Sequence, residues 1–156
     1  MIRLSDLIAP EAVVTDLEAG DARGVTAELL AKLVASGGVA ADDEQAVLDT
    51  LAAREKQGST GFGKGVAVPH AKHPAVREMT AAFGRSDKGV EFNSHDGRPV
   101  HLVVLLLSPV ERSREHLDAM QTLSKALNRD LFRRDLREAT QREGILALFR
   151  EADGLA

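Results

Sequence analysis

Histidines are the side chains of this sequence best suited to nucleophilic chemistry near neutral pH, and there are five: His70, His73, His95, His101 and His116. His70 differs from the others in its surroundings, because Pro69 precedes it and four glycines lie within the eight residues from 58 to 65. Glycines let backbone N–H groups approach a ligand closely, and a concave group of such N–H groups favours an anion. An imidazole with a pKa near ~6.5 is largely neutral at pH 7, so one ring nitrogen can attack an electrophile. These residues predict either a nucleophilic His70 beside an anion-binding loop or a loop histidine that hydrogen-bonds a turn.

His116 is a second histidine that could join this site. If Ser113 caps the helix that follows it, His116 lies in the first helical turn, where the positive end of the helix dipole disfavours the imidazolium. It also belongs to a stripe of side chains on one helical face, formed by His116, Met120, Leu123 and Leu127. Such a stripe faces the core, and a sheet edge could then bring His116 beside His70. A core histidine hydrogen-bonded to the backbone would show the same pattern.

Arg54 lies near the end of a predicted helix, on the stripe that carries Val47 and Leu51 and just before the glycine-rich loop. A guanidinium in this place could hold a phosphate through two parallel hydrogen bonds. The alternative is an exposed ion pair between Arg54 and Glu55, which would contribute little to stability.

The remaining three histidines give weaker indications of function. His95 lies in a polar turn, where exposure to solvent is expected, and His101 begins an apolar strand, where a hydrogen-bonded structural role is at least as reasonable as a functional one. His73 follows His70 by three residues and could be imagined as a second metal ligand. Because the sequence has no cysteine and no carboxylate cluster beside these two histidines, neither a metal nor another cofactor is expected.

The glycine-rich stretch also matches part of a nucleotide-binding P-loop. Gly58, Gly63 and Lys64 fit the pattern G-x-x-x-x-G-K, but Gly65 follows where the motif needs a hydroxyl to hold magnesium. Residues 66–69 (VAVP) favour a short strand closed by proline, whereas a P-loop requires the start of a helix. No nucleotide site is therefore predicted.

Composition restricts the class of protein further. The 156 residues suffice for one domain with a substantial core, and the contents of 44% hydrophobic and 28% charged residues are those of ordinary globular proteins. The net charge of −4 and the absence of Trp and Tyr argue against nucleic-acid binding. The longest apolar run, 102–107, is too short to cross a bilayer, and the first residues lack the apolar core of a signal peptide. We therefore expect a cytoplasmic protein without membrane insertion.

Hydrophobic periodicity predicts that helices and strands alternate along the chain. The predicted helices run from a cap at Asp21 to about Ser36, from a capping box at Asp42 and Gln45 to Gly58, from a cap at Ser113 to about Asn128, from 130 to 139 and from 140 to 152. The predicted strands cover 66–68, 80–83, 89–92 and 99–107, with a turn at 96–97. The last strand is a continuous apolar run, which is typical of a strand buried on both faces. The predicted fold class is α/β, a single layered domain with a mixed central sheet flanked by helices on both faces.

The stretch that contains His70 is similar to the signature of a known family. The segments REK at 54–56, GSTG at 58–61 and GVAVPH at 65–70 resemble enzyme IIA domains of the fructose/mannitol/nitrogen type, which belong to the bacterial phosphoenolpyruvate-dependent phosphotransferase system. The likeness extends over nearly the whole chain, through LSDLI at 4–8, GRPV at 97–100 and HL at 116–117. Two departures are mild: Ala71 stands where glycine is frequent and Phe62 where an aliphatic residue is common.

The resemblance implies one IIA type 2 domain over residues 1–156. It implies a phosphotransferase in which His70 takes a phosphoryl group from a phosphohistidine on the carrier protein HPr, or on nitrogen-type HPr, and passes it to a IIB domain or uses it as a regulatory signal. His116 and Arg54 would line the pocket, without a metal. The loop residues that would shape this pocket are Gly58, Ser59, Thr60, Gly61 and Gly63. Backbone amides of the loop, together with the two side chains, would stabilise the charge of the transition state, and Lys64 would be an incidental surface residue.

Two roles remain open within this family. One is sugar uptake with a IIB domain and a membrane IIC, and the other is nitrogen-type regulation of target proteins. The 156 residues contain no fused IIB or IIC, and the segment RDLFRRDLREA at 129–139 is similar to the nitrogen type, which favours the regulator. A different class would be a binding module that controls partner proteins through contacts alone and is never phosphorylated. The joint presence of Arg54, His70 and His116 argues against that class. The sugar, the downstream partner and the oligomeric state are not predicted.

Overall fold

One mixed β-sheet organises the structure, a computed structural model that describes residues 2–154. Its six strands are β1 (Ile8–Val14), β2 (Gly61–Gly63), β3 (Val66–Ala67), β4 (His70–Lys72), β5 (Thr80–Val90) and β6 (Val100–Ser108). The order across the sheet is β1-β5-β6-β3-β2, and β4 pairs with β6 beyond the end of β3. β5 is antiparallel to β6, whereas β3 and β4 are parallel to it. β6 is therefore the central strand, with partners on both edges.

Helices cover both faces of this sheet. They are α1 (Leu4–Leu7), α2 (Ala22–Ala35), α3 (Glu44–Gln57), α4 (Ser113–Leu127), α5 (Asp130–Glu138) and α6 (Arg142–Gly154). Successive side chains of β6 point to opposite faces, so Leu102 and Leu106 join one core cluster with residues of α4, α5 and α6. Val103 and Leu107 join the other cluster, with residues of α2 and α3. This arrangement confirms the predicted fold class.

Several predicted elements are present with nearly the expected limits. The carboxylate of Asp21 accepts a hydrogen bond from the amide of Gly24 at 2.8 Å and caps α2, which ends before Ser36 as predicted. The apolar run predicted to be buried on both faces forms β6, and each of residues 102–107 is at most 1% exposed. The two helices predicted after residue 130 correspond to α5 and α6.

The capping box predicted for α3 is wrong. A short 3₁₀ turn covers Ala41–Asp43 before the helix, and no side chain caps the helix through a hydrogen bond. The side-chain amide of Gln45 donates to Asp49 within the helix instead of reaching back to its start. The 3₁₀ turn thus removes the extended entry that a capping box requires.

The cap predicted for α4 is also wrong. Arg112 occupies the position before the helix, and Ser113 is the first helical residue. The hydroxyl of Ser113 donates to the carbonyl oxygen of Val110, in the turn that leads from β6 into the helix. The helix nevertheless begins where the sequence predicted, so His116 does lie in its first turn.

The strands differ from the prediction in length and number. The segments predicted at 80–83 and 89–92 belong largely to one strand, β5, whose pairing with β6 shifts register between Arg85 and Val90. Gly89 has a φ of +93° at this irregularity, which explains why the sequence pattern breaks there. β1 was not predicted because Pro10 interrupts its apolar pattern, and an edge strand tolerates proline.

No helix within residues 2–154 combines the length and the apolar character that crossing a membrane requires.

Candidate functional site

His70 is the first residue of β4, where it pairs with Leu106 of the central strand. The side chain is half-buried, and its Nδ1 lies 2.8 Å from the carbonyl oxygen of Val68. A carbonyl oxygen can only accept a hydrogen bond, so Nδ1 carries the proton and Nε2 keeps its lone pair. Pro69, between the two residues, restricts the backbone at this bend. The local structure therefore presents Nε2 of His70 as the free ring nitrogen.

The structure brings His116 next to His70. The two ring centroids are 5.6 Å apart, with an angle of 46° between the ring planes. This proximity arises because α4 begins shortly after the end of β6, beside the paired strand β4. Nδ1 of His116 lies 2.6 Å from Oγ of Ser108, the last residue of β6, which is fully buried. The hydrogen bond to Ser108 fixes the orientation of the His116 ring.

Burial lowers the pKa of both histidines. The pKa of His116 is lowered to about 4, chiefly by burial and further by the nearby charges of His70 and Lys72. The pKa of His70 is also lowered, with burial as the largest cause and the charge of Arg54 acting in the same direction, while the Val68 carbonyl acts against them. The sequence predicted a neutral His116 from the helix dipole, whereas burial is the main cause. Both rings are therefore uncharged at pH 7.

Arg54 lies in the last turn of α3, close enough to His70 for its charge to lower the histidine pKa. One terminal nitrogen, Nη1, donates to the carbonyl oxygen of Gly58 at 2.7 Å. The exposed Arg54–Glu55 ion pair that the sequence left open is not among the salt bridges of the described residues. Because Gly58 engages one guanidinium nitrogen, the side chain is held toward the loop while its other N–H groups can serve an anion.

Internal hydrogen bonds determine the shape of the loop from Gly58 to Gly63. The carboxylate of Glu55 accepts from the amide of Thr60 at 2.9 Å and from its hydroxyl at 2.7 Å. The amide of Gly61 donates to Oγ of Ser59 at 3.0 Å, and that hydroxyl donates to a backbone carbonyl. The amide of Thr60 is thus held by Glu55 of α3 and the amide of Gly61 by Ser59 of the loop, so these two amides do not have the role of phosphate donors that the sequence suggested for the loop amides.

Close packing explains the glycine at position 61. A Cβ atom added there would lie 2.3 Å from Oγ of Ser94, far inside van der Waals contact. Gly63 adopts a φ of +101°, a backbone conformation that favours glycine. These two glycines let the loop pack tightly beside its neighbours.

Three residues of the site were missed in the sequence. Ser108 orients His116, Glu55 ties down the loop, and Lys72 lies near enough to lower the pKa of His116. Lys72 was recognisable in principle, because it follows His70 by two residues on a strand and so shares its face. Ser108 gave a weaker signal, as the polar residue that ends a long apolar strand.

The remaining histidines lie outside this cluster. Nδ1 of His73 accepts a hydrogen bond from the amide of Ala75 at 3.0 Å, within a turn. His95 is exposed, as predicted. Nδ1 of His101 is hydrogen-bonded to the carbonyl oxygen of Ser86 at 2.8 Å, at the opposite end of β6 from His70. The structure therefore groups His70, His116 and Arg54 and separates the other three histidines from them.

The fold and the site define the class of protein. The mixed sheet supports a histidine with a free Nε2, a second uncharged histidine and an arginine, which together suit the transfer of an anionic group. The family model "Phosphoenolpyruvate-dependent sugar phosphotransferase system, EIIA 2" matches residues 6–152. The chain belongs to this family and is a phosphocarrier of the phosphotransferase system, as the resemblance in its sequence implied.

Relatives include proteins named for sugar transport and for nitrogen regulation. The chain is 33% identical over 152 residues to the fructose-specific EIIABC component of Bacillus subtilis (strain 168), covering 97% of this chain and 24% of that protein's length. Nitrogen regulatory protein IIA-Ntr from Neisseria meningitidis is 32% identical in its crystal structure, with a TM-score of 0.85 over 94% of this chain and 98% of that one. A complex of enzyme IIA-Mtl and phosphorylated enzyme IIB-Mtl from Escherichia coli gives a TM-score of 0.78 at 20% identity, covering 93% and 99% of the two chains, and shares the fold.

The buried His116 is expected to make the fold sensitive to mild acid. Its pKa is about 4 in the folded protein, compared with ~6.5 in the unfolded chain. Between these values the unfolded state binds more protons, so the free energy of unfolding decreases as the pH falls from ~6.5 toward 4. The expected contribution is about 3 kcal/mol over this range, an upper figure because His70 titrates nearby. Urea unfolding of the wild type and of His116→Gln at several pH values measures it.

The matched control for this prediction is His95→Gln, which removes an exposed histidine. We expect the stability of His116→Gln to fall less steeply with acid than that of the wild type, and His95→Gln to follow the wild type. Parallel pH profiles for all three proteins would contradict the assignment of a depressed pKa to His116. The readout is the slope of stability against pH, so a general loss of stability in His116→Gln does not obscure it.

Proposed function

We propose that Nε2 of His70 accepts a phosphoryl group from a phosphohistidine on an HPr-type carrier and then passes it on. The observation that carries this proposal is the hydrogen bond from Nδ1 of His70 to the Val68 carbonyl at 2.8 Å, which leaves Nε2 unprotonated. Without this bond, either nitrogen could carry the proton and the nucleophile would be undefined. The neighbouring cation Arg54 and the uncharged His116 provide partners for a phosphoryl group held at Nε2.

Bonds and charges balance in this phosphoryl transfer without the loss of a proton from the site. The N–P bond of the donor breaks as the lone pair of His70 Nε2 forms a new N–P bond, and the donor imidazole departs as a neutral ring. His70 keeps its proton on Nδ1 throughout, so positive charge develops on its ring. The Val68 carbonyl, which favours the protonated ring, stabilises that charge. No metal is needed for this exchange because both nitrogens are neutral when free.

We assign the stabilisation of the negative charge of the transition state to two side chains, those of Arg54 and His116. The phosphoryl oxygens would accept hydrogen bonds from the free N–H groups of Arg54 and from Nε2–H of His116. His116 can present Nε2–H because the Ser108 hydroxyl, 2.6 Å from Nδ1, can donate to that nitrogen. Ser108 is therefore a positioning residue that acts through His116. By donating to Nδ1, its hydroxyl selects the tautomer in which Nε2 of His116 carries the proton.

Exposed apolar side chains on segments that adjoin the site residues in sequence favour protein partners. Val110 lies between β6 and α4 and is 46% exposed, and Leu117 follows His116 in α4 and is 57% exposed. Phe62 in β2, within the glycine-rich loop, is 36% exposed. We infer that an HPr-type donor and an acceptor protein contact these side chains in turn. With these partners, we infer that the protein acts in the cytoplasm.

The identity of the protein that accepts the phosphoryl group from His70 distinguishes sugar uptake from nitrogen-type regulation. IIA domains of this system work with IIB domains, and the Escherichia coli complex contains one. A sugar role requires transfer from His70 to such a domain, whereas a nitrogen-type regulator would bind target proteins in a phosphorylation-dependent way. The relatives include both kinds at similar identity, 33% and 32%, so identity does not decide between them. A module that is never phosphorylated is disfavoured, because the nucleophile, the arginine and the second histidine are all in place.

The experiment that tests this proposal is phosphorylation by purified components. Incubation with phosphoenolpyruvate, enzyme I and HPr is expected to add one phosphoryl group per chain, measured by intact mass spectrometry. The bond should be labile to acid and stable to base, as an N–P bond to histidine is. A protein that stays unmodified with both HPr and nitrogen-type HPr, or a modification stable to acid, would contradict the proposal.

A further inference from the structure

A second group of charged side chains lies at the other end of β6 from His70. It surrounds an open cavity of about 400 Å³ lined by Lys64, Gly65, Arg98, Pro99, His101, Arg133 and Arg137. His101 lies five residues before Leu106, the partner of His70 in the sheet, so the cavity is roughly 17 Å from His70 at a rise of ~3.3 Å per residue. We call it the cationic cavity. It is separate from the phosphoryl-transfer site.

The charges of the cationic cavity are unbalanced. Its lining includes four cations and no acidic residue. Within residues 2–154, Lys64, Arg98 and Arg137 take part in no salt bridge, while Arg133 pairs with Asp130. This concentration of positive charge does not follow from composition, because the protein has a net charge of −4.

Acidic residues lie on two sides of the cationic cavity. The carboxylate of Asp96 accepts hydrogen bonds from the backbone amides of Lys64 and Arg98, both at 3.0 Å. An adjoining cavity shares three of the cations and contains the carboxylates of Asp87, Asp130 and Glu138. Asp87 is paired with the buried Arg85 at 2.8 Å, and Asp130 with Arg133. Glu138 is the carboxylate of this set without a salt bridge among the described residues. Four cations and no carboxylate line the cationic cavity itself, so these neighbouring carboxylates reduce its positive potential without cancelling it.

The backbone at Lys64 is held in an unfavourable conformation. Lys64 has a φ of +60°, in the left-handed region that side chains other than glycine seldom adopt. Its amide donates to the carboxylate of Asp96 at 3.0 Å, and its Nζ donates to the side chain of Asn128 at 2.8 Å. Lys64 is an exposed residue, as expected, but its backbone and its side chain are both held by hydrogen bonds. The turn directs this lysine to the rim of the cavity, and strain of this kind is often retained at binding sites.

The ring of His101 forms a fixed wall of the same cavity. Its Nδ1 donates to the carbonyl oxygen of Ser86 at 2.8 Å. Two glycines with positive φ lie against it, since a Cβ on Gly65 would be 3.7 Å from Cδ2 and a Cβ on Gly89 would be 3.3 Å from Cε1. Gly65 is the residue that breaks the P-loop pattern, and its φ of +77° favours glycine there, whereas a Cβ would only make ordinary contact with His101. The backbone around His101 thus shapes the site together with the cations.

We propose that the cationic cavity binds a small molecule that carries at least two phosphate groups. Guanidinium groups bind phosphate oxygens through paired hydrogen bonds, and a lysine adds a point charge. The cations come from three separate parts of the chain, at 64, 98 and 133–137, so a ligand with several linked charges can reach more of them than a single phosphate can. The lining has no Phe, Tyr or Trp on which a base could stack, so the phosphates themselves carry the recognition.

Titration of the ¹⁵N-labelled full chain with pyrophosphate, followed by NMR at low salt, tests this proposal. We expect saturable shifts of the amides at 64–65, 98, 100–101 and 133–137, with weaker binding of inorganic phosphate. The variant Arg98→Gln/Arg137→Gln should bind pyrophosphate at least ~10-fold more weakly, since each side chain can supply charge-assisted hydrogen bonds. Neither side chain makes a hydrogen bond within residues 2–154, so this variant is expected to fold.

The matched control removes the same charge elsewhere. Arg23→Gln/Lys32→Gln alters two exposed cations on α2, and pyrophosphate should bind this protein as it binds the wild type. The proposal is overturned if no shift saturates at millimolar pyrophosphate, if both variants lose affinity equally, or if the shifts centre on His70. Equal affinity for pyrophosphate and for a polyglutamate peptide would overturn the assignment of phosphate as the ligand.

Discussion

His70→Ala is expected to take up no phosphoryl group from an HPr-type carrier. Nε2 of this ring is the acceptor atom proposed here, and alanine offers no nucleophile in its place. The rate should therefore fall at least ~10⁴-fold, as it does when a nucleophile is removed from an enzyme that forms a covalent intermediate. Quenched-flow phosphorylation by phospho-HPr, with intact mass spectrometry of the product, measures the loss.

The control for this variant is His95→Ala, which removes a histidine that is exposed and lies outside the site. It should be phosphorylated at the wild-type rate. Circular dichroism and the urea midpoint establish that His70→Ala is folded, which we expect because the ring is half-buried and its hydrogen bond to Val68 is local. A folded His70→Ala protein that still accepts one phosphoryl group would show that another residue is the acceptor.

Arg54→Gln and His116→Gln are expected to slow the transfer without abolishing it. Both side chains are proposed to donate hydrogen bonds to the phosphoryl oxygens, whereas the attacking atom belongs to His70. One preorganised donor contributes a few kcal/mol in a transition state, so each substitution should reduce the rate by roughly 10²- to 10³-fold. The same quenched-flow measurement applies, and prolonged incubation should still give one phosphoryl group per chain.

Lys56→Gln is the matched control for Arg54→Gln, because it removes an exposed cation two residues further along the same helix. Its rate should remain within a few-fold of the wild type. A similar loss in both variants would assign the effect of Arg54 to general attraction of the carrier, which high salt would also weaken. Wild-type rates in Arg54→Gln and His116→Gln would show that neither side chain stabilises the transition state of the transfer.

The long elements of the fold were predictable because their patterns are long. The apolar run that forms β6 and the capped α2 helix combine length, periodicity and clear end signals. Of the short strands, β3 was predicted from the apolar residues at 66–68, whereas the three-residue strands β2 and β4 carry no usable pattern of their own. β4 forms because β6 offers free backbone groups along its edge, and β2 forms by pairing with β3, which are tertiary effects. His70 lies on one of these short strands, β4. Pro69 and the nearby glycines indicated that this histidine is important, but the sequence did not predict the strand that holds it or its hydrogen bond to Val68.

The partners of the site residues were harder to predict than the residues themselves. His116 and Arg54 were identifiable by their helical positions and by the family resemblance. The contact between Ser108 and His116 joins the end of a strand to the following helix, and it depends on the turn between them. The loop amides were predicted to bind phosphate because glycines permit it. Glu55 and Ser59 instead engage two of these amides, since side chains nearby in sequence compete for the same donors.

The most direct test of the central claim is to identify the phosphorylated nitrogen. Protein labelled with ¹⁵N in its histidine rings is examined by long-range ¹H–¹⁵N correlation before and after phosphorylation by phospho-HPr. Before transfer, His70 is expected to be neutral with its proton on Nδ1, and afterwards phosphorus should couple to Nε2 of the same ring while Nδ1 stays protonated. Phosphorus on Nδ1 of His70, or on any ring nitrogen of His116, would contradict the claim that the Val68 hydrogen bond defines the nucleophile.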